Sequence, residues 1–283
     1  HNGLAKLGAF DPNRKVSVLD PAAGTGRMFY NLMNIHPTLI ELDPLTVKIS
    51  AAVFGKDAVL NTGFEKSNVI NNAFDVVIAN PPFGGTVANN NENNFPANYR
   101  VKESADLFLI MMIHLLKQGG RAGIVLPDGS LSGDGVKQRI RQKLLEDCNL
   151  HTIIRLPNSV FKPYATVATN LLFFDKGKQT KDIWYYQHKY QEGVKSYSKT
   201  NPLKVEELEP IKKWWNKRKE SEVSWKVSID TIIERGYDLD IKNPNAVVEE
   251  NEETSNEILT RIDTEQNKIH EIVGKLKTLL ATE

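Results

Sequence analysis

Val16-Ser17-Val18-Leu19-Asp20-Pro21-Ala22-Ala23-Gly24-Thr25-Gly26 is the stretch on which the reading of this chain turns. Val16 to Leu19 is a β-branched, apolar run and reads as a buried strand that ends at Asp20. The loop behind it carries Gly24 and Gly26, which allow a tight turn and a close backbone approach to a ligand. It lacks the three-glycine pattern of dinucleotide sites and the Gly-Lys-Ser/Thr of phosphate loops. A small cofactor without phosphates suits such a loop better than NAD or a nucleoside triphosphate. The bland alternative is an ordinary strand–helix turn.

Outward from this loop, short apolar runs alternate with helical patterns. Helices are predicted over Gly24 to Met33, Thr46 to Phe54, Ser104 to Lys117 and Gly135 to Glu146. Strands are predicted at Thr38 to Ile40, Ala58 to Leu60, Phe74 to Ala79, Ala122 to Leu126, Thr152 to Leu156 and Thr169 to Phe174. With the first strand this makes a doubly wound, mostly parallel, seven-stranded α/β sheet of Rossmann-like type. Ligands then belong at the carboxyl ends of the strands. Glu41 ends the second strand, where a carboxylate accepts both hydroxyls of a ribose. A merely solvated strand-end acid competes with that reading.

The fourth strand runs into Asn80-Pro81-Pro82-Phe83. Two prolines fix the backbone and remove two N–H donors. What remains is acceptor character, the Asn80 side-chain oxygen and the Pro81 carbonyl. Two acceptors hold both protons of an amino group conjugated to an aromatic ring, which frees the nitrogen lone pair for attack. Phe83 adds a flat face on which a base can stack. A proline turn with a core aromatic is the alternative. The polar run Asn89 to Asn94 reads equally as a mobile loop over the site or as a surface insertion.

These residues resemble the amino-methyltransferases of DNA, whose signatures are an Asp-Pro-x-x-Gly-x-Gly loop and an Asn-Pro-Pro-Phe/Tyr loop. Cofactor loop first is the order of the gamma class of adenine methylases. Ala105 to Phe108, Gly119 to Ala122, Val125 to Gly129, Leu156 to Phe161, Thr169 to Phe174 and Asp240 to Pro244 resemble the modification subunit of type I restriction–modification systems. The resemblance implies S-adenosylmethionine as cofactor and the methyltransferase version of the sheet. It places Asp20, Pro21, Ala22, Gly24, Thr25 and Gly26 around the cofactor's methionine part. Glu41 holds the ribose, and Leu42 and Phe64 flank the adenine. Asn80, Pro81, Pro82 and Phe83 hold the target base, with Phe161 as a second stacking face. Two departures stand out. An acid usually precedes the residue matching Phe64, but Gly63 stands here, leaving Asn61, Glu65 or backbone to take its part. The family's amino-terminal helical domain and its Tyr-Thr-Pro-like motif are also missing, so the chain is expected to be a fragment.

The resemblance further implies DNA, a specificity subunit and a restriction subunit as partners. Amino methylation of cytosine uses the same acceptor logic and stays open. So do glutamine methylation of a protein, which the tail argues against, and a non-catalytic scaffold, which the intact Asn80 to Phe83 argues against. Cytosine carbon-5 chemistry needs a nucleophilic thiolate, and the single cysteine, Cys148, lies in no Pro-Cys pair.

Composition narrows the classes. The chain has 283 residues, 40% of them hydrophobic, which suits a globular core. No apolar run nears the roughly 20 residues of a membrane helix. The six histidines lack metal-ligand spacing, so no metal is expected. One thiol and no leader point to the cytoplasm. A net charge of +1 is low for a chain that grips DNA alone, so another subunit is expected to share the contact.

Three regions follow: a catalytic domain over 1–176, an α/β extension over 177–248 and a heptad helix for assembly over 249–283. The extension is predicted to hold a strand at Asp182 to Tyr190 and a short helix at Val205 to Lys219 with Trp214 and Trp215. In the last region Ile258, Ile262, Ile269, Ile272, Leu276 and Leu279 follow heptad spacing, with Glu265 in one slot.

Overall fold

The computed structural model describes residues 15–66, 71–87, 90–246 and 255–280. They fall into two units, His1–Asn245 and Ala246–Glu283.

The first unit is built on one nine-stranded sheet. In chain order its elements are β1 (Val16–Asp20), β2 (Ile35–Glu41), α1 (Pro44–Phe54), β3 (Val59–Asn61), β4 (Phe74–Ala79), α2 (Ser104–Leu115), β5 (Leu116–Pro127), α3 (Asp128–Leu131) and α4 (Val136–Asp147). There follow β6 (Cys148–Leu156), β7 (Thr169–Lys176), β8 (Asp182–Gln187), α5 (Glu209–Asn216), β9 (Ser224–Ser228) and α6 (Ile229–Glu234). The strand order is β3-β2-β1-β4-β5-β7-β6-β8-β9. β1 to β5 pair in parallel, and β8 pairs in parallel with β6. β7 runs antiparallel between β5 and β6, and β9 antiparallel to β8.

The sequence predicts a sheet of seven strands with an eighth strand in the extension; among the described residues the sheet has nine. The extension forms no separate layer. Without β8 the buried strand β6 would present an unpaired edge, and edge N–H and C=O groups need partners. Ile183 and Tyr185 of β8 are fully buried and join the main core, which explains why the pairing is retained.

Alternation along the strands separates two faces. Leu19, Val77 and Ile153 point into the large core shared with α2 and α4. Val18 and Leu39 point the other way, into a smaller core with Phe29 and Phe54. Ile154 and Leu156 face a third cluster with Tyr186, Ile211, Trp214 and Trp215. Helix α2 is apolar nearly all round, and every residue but His114 is buried, as such a helix must be. At Gly120 a β-carbon would meet the backbone oxygens of Lys117, Asp75 and Phe74 at 2.9–3.1 Å. Only glycine lets β5 approach β4 there, where the register shifts.

The helix expected over Gly24 to Met33 is not formed. Gly24 and Gly26 are left-handed at φ +54° and +77°, and Asn34 at +58°. These interrupt the right-handed run, so one 3-10 turn, Arg27–Phe29, is all that closes. By contrast α1 starts where a cap predicts it. Asp43 accepts a hydrogen bond from the Thr46 N–H at 2.7 Å, and Pro44 opens the first turn.

The second unit holds one helix, α7 (Ser255–Leu280). Ile262, Ile269 and Ile272 are exposed on it. The heptad residues Ile258, Leu276 and Leu279 lie outside the residues whose side chains are described. No helix among the described residues is long and apolar enough to cross a membrane.

Candidate active site

Strand β1 has β2 on one side and β4 on the other, so chain direction across the sheet reverses there. A crevice opens at such a point, beyond the carboxyl ends of the strands. The loops after β1 and β4 are Asp20–Gly26 and Asn80–Phe83. They emerge side by side because Val18 pairs with Val76 and Leu19 with Val77.

The first loop is stitched by carboxylates. Asp20 is buried, and its Oδ1 accepts the Ala22 N–H at 3.0 Å. Its Oδ2 is buried with no hydrogen-bond partner among the described residues. Burial pushes the Asp20 carboxyl up to about 7, with the Ala22 hydrogen bond opposing and the charge of Glu41 adding to the rise. From the end of β2, Glu41 accepts the Gly24 N–H through Oε2 and the Asp43 N–H through Oε1, both at 2.8 Å. Ala23 N–H donates to the Ile40 carbonyl at 3.0 Å, and the Tyr30 hydroxyl to the Thr25 carbonyl at 3.1 Å. Gly26 is packed so closely that a β-carbon would lie 2.7 Å from Leu39 and against the Phe54 ring.

S-adenosylmethionine presents an ammonium group, two ribose hydroxyls and an adenine. The residues here fit it. The orphaned Asp20 oxygen is a buried acceptor suited to an ammonium. Each Glu41 oxygen keeps acceptor capacity beyond its one backbone N–H, enough for a hydroxyl apiece. Leu42 is exposed beside Glu41. Phe64 is partly buried, stacked on Phe108 at 3.7 Å between ring centroids and tilted against Phe95 at 6.2 Å.

In the second loop Asn80 and Pro82 are exposed, Pro81 is buried and Phe83 is half-buried. Phe83 meets Phe161 edge to face, with centroids 5.0 Å apart and planes at 78°. The structure therefore brings these two distant residues together. It does not leave a parallel slot between them, which would need about 7 Å, twice a carbon–carbon contact of about 3.5 Å.

Phe161 sits in the loop between β6 and β7, held by residues that sequence reasoning did not single out. Ser159 Oγ lies 2.8 Å from the Tyr190 hydroxyl and accepts the Tyr197 N–H at 2.8 Å. The Tyr197 hydroxyl donates to Glu207 Oε2 at 2.6 Å, and His188 Nε2 lies 3.3 Å from it. Ser159 and its partners are 31 and 38 residues apart in sequence, so no local signal could have revealed the network. Cys148 is fully buried. Burial, with the charge of Asp147, pushes its thiol up to about 12, which keeps it from acting as a thiolate nucleophile.

Comparison with known proteins agrees with this geometry. The chain is 40% identical to the type I restriction enzyme EcoEI methylase subunit of Escherichia coli, over 95% of the chain and 61% of that protein. A modification subunit of a putative type I restriction enzyme from Vibrio vulnificus YJ016 superposes with a TM-score of 0.74 at 34% identity, over 83% of this chain and 57% of that one. A structure from work on complex assembly and conformational transition of the type I R-M system gives a TM-score of 0.73 at 31% identity, over 96% of this chain and 63% of that one. The chain thus spans about six-tenths of the length of these relatives. The N-6 DNA methylase model matches residues 47–253, more than half of the chain. This chain belongs to the N-6 DNA methylase family.

Proposed function

We propose that the chain carries the catalytic centre of a type I-like modification subunit and transfers a methyl group from S-adenosylmethionine to the exocyclic amine of adenine in DNA. The observation that carries this reading is the emergence of Asp20–Gly26 and Asn80–Phe83 from neighbouring parallel strands at the reversal point of the sheet. The cofactor supplies an electrophilic sulfonium methyl. Asp20 would hold its ammonium group and Glu41 its ribose hydroxyls. The target adenine leaves the helix stack, and Phe83 takes its face. The Asn80 side-chain oxygen and the Pro81 carbonyl accept its amine protons. Held by these two acceptors, the amine nitrogen would have its lone pair free to take the methyl that the cofactor would supply, and its proton would pass to solvent. Orientation supplies much of the rate, on the order of 7–11 kcal/mol in favourable cases.

In this proposal residues 1–176 hold the catalytic site, 177–248 extend it, and 249–283 serve assembly in the cytoplasm with a specificity and a restriction subunit. Exposed Ile262, Ile269 and Ile272 on α7 form the seam that a partner helix would cover. The test is transfer of labelled methyl from the cofactor to DNA in the presence of the specificity subunit, followed by nucleoside analysis. N6-methyl-2′-deoxyadenosine supports the reading; N4-methyl-2′-deoxycytidine or labelled protein overturns it. Removal of 254–283 is expected to abolish co-purification with the specificity subunit and leave cofactor binding intact. A truncated chain that still assembles would remove the tail from that role.

A further inference from the structure

Gly63 leaves an unanswered chemical question beside Phe64, namely which group meets the cofactor's adenine amine. Asn61 is committed elsewhere: its Nδ2 donates to the carbonyls of Glu41 and Leu42 at 3.1 Å each, tying β3 to the end of β2. Glu65 is placed differently. A β-carbon built on Gly63 would lie 2.5 Å and 2.6 Å from the two carboxylate oxygens of Glu65 and 2.8 Å from its carboxyl carbon. The Glu65 carboxylate thus fills the space into which a side chain at position 63 would project. It folds back over a bare glycine, and a side chain at 63 would require the carboxylate to swing aside.

The Glu65 carboxylate is also already holding the right kind of donor. Asn91 Nδ2 donates to Glu65 Oε1 at 3.1 Å. A primary amide and the exocyclic amine of adenine are both N–H₂ groups conjugated to a π-system, so the amide stands in for the amine. Asn94 Nδ2 donates to the Glu65 backbone carbonyl at 3.1 Å, and the Phe95 ring lies 6.2 Å from that of Phe64. Asn91, Asn94 and Phe95 are therefore tied to Glu65 and Phe64, the residues to which the resemblance assigns the cofactor's adenine.

We infer that Glu65 supplies the carboxylate that accepts the cofactor's adenine amine, in place of an acid at position 63, and that Asn91 is the donor it exchanges or shares on binding. This rests on the cofactor assignment made above. It makes Glu65 a specificity-determining residue for a 6-amino over a 6-oxo purine. It also links occupancy of the adenine site to the anchoring of the segment around Asn91.

Two ligands test it by calorimetry on the full chain: S-adenosylhomocysteine and its hypoxanthine counterpart, S-inosylhomocysteine. The wild type is expected to prefer the adenine form by about ten- to a hundredfold, the worth of a charge-assisted hydrogen bond. Glu65→Ala should lose that preference. Gly63→Asp combined with Glu65→Ala should restore it, because removing the Glu65 carboxyl clears the space for a side chain at 63. Circular dichroism checks that each variant is folded. An unchanged preference in Glu65→Ala, or failure of the double variant to regain it while folded, overturns the assignment. Binding of neither ligand by the wild type overturns the cofactor reading itself, and this inference with it.

Discussion

The two halves of the sheet hold their loops by different means. In β3-β2-β1-β4 every pairing is parallel, and the loop after β1 is fixed by carboxylates gripping nearby backbone: Asp20 on Ala22, and Glu41 on Gly24 and Asp43. In β5-β7-β6-β8-β9 the pairing is mixed, and the loop carrying Phe161 is fixed through Ser159, Tyr190, Tyr197 and Glu207. The first half is a preformed cradle whose donors already point at their acceptors. The second is a loop held from a distance, with its aromatic ring resting against Phe83 rather than parallel to it. The halves should therefore answer to different measurements, cofactor affinity for the one and DNA for the other. Asn80, at the end of β4, stands on their border.

Removing that border residue should have the largest effect. In Asn80→Ala, single-turnover methyl transfer to matched DNA is expected to fall by about 10²–10³-fold or more, as when a preorganised polar contact to the reacting group is lost. Cofactor affinity should stay within about twofold, since the proposal has Asn80 act on the base. Activity within a few-fold of wild type would end the assignment of Asn80 and merge the two halves functionally.

Next comes the cradle. Glu41→Ala removes the acceptor proposed for two ribose hydroxyls and also orphans the Gly24 and Asp43 N–H groups. The cofactor dissociation constant should rise by about ten- to a hundredfold, and the melting temperature should drop. An unchanged constant would reduce Glu41 to a strand-end acid that braces the loop.

The third test is pH. Asp20 is raised from its ordinary value to about 7, so below that pH it is mostly protonated and a poor partner for an ammonium. Cofactor affinity should climb up to about tenfold per pH unit from pH 5 toward 7 and level off above, with proton release on binding. For the unliganded fold the sense is opposite. A raised carboxyl favours the native state at low pH, and that contribution disappears as pH rises through about 7. Asp20→Asn should flatten both profiles; if it leaves them unchanged, another group is titrating.

The smallest effect belongs to the far half. Tyr197→Phe deletes the hydroxyl bonded to Glu207 and near His188. It is expected to raise KM for DNA by about two- to fivefold, by loosening the loop that carries Phe161. Cofactor affinity should not move. A change in cofactor affinity instead would show that the network reaches across the sheet, and the contrast between the halves would fail.

The same contrast runs through what could be read beforehand. The cradle was legible because its parts are near in sequence and conform to stereotyped chemistry: a strand ending in Asp20, glycines in the turn, an acid at the end of β2. Asn80 to Phe83 was legible because two prolines leave few backbone options. The helix predicted over Gly24 to Met33 fails because two glycines inside it adopt positive φ. β9 and α6 went unread altogether. Their sequences are short, and what places them is pairing with β8 and burial of Trp225 and Ile232 in the main core.

The amino-acid sequence by itself determined most of the alternation of strands and helices and the two loop motifs, because each follows from backbone chemistry within a few residues. Only the tertiary structure decided that the sheet has nine strands, that Phe161 meets Phe83, that Ser159 hangs on Tyr197, and that the Glu65 carboxylate covers Gly63. The first three join residues far apart in the chain. The last depends on a side-chain direction, which spacing along the chain does not specify.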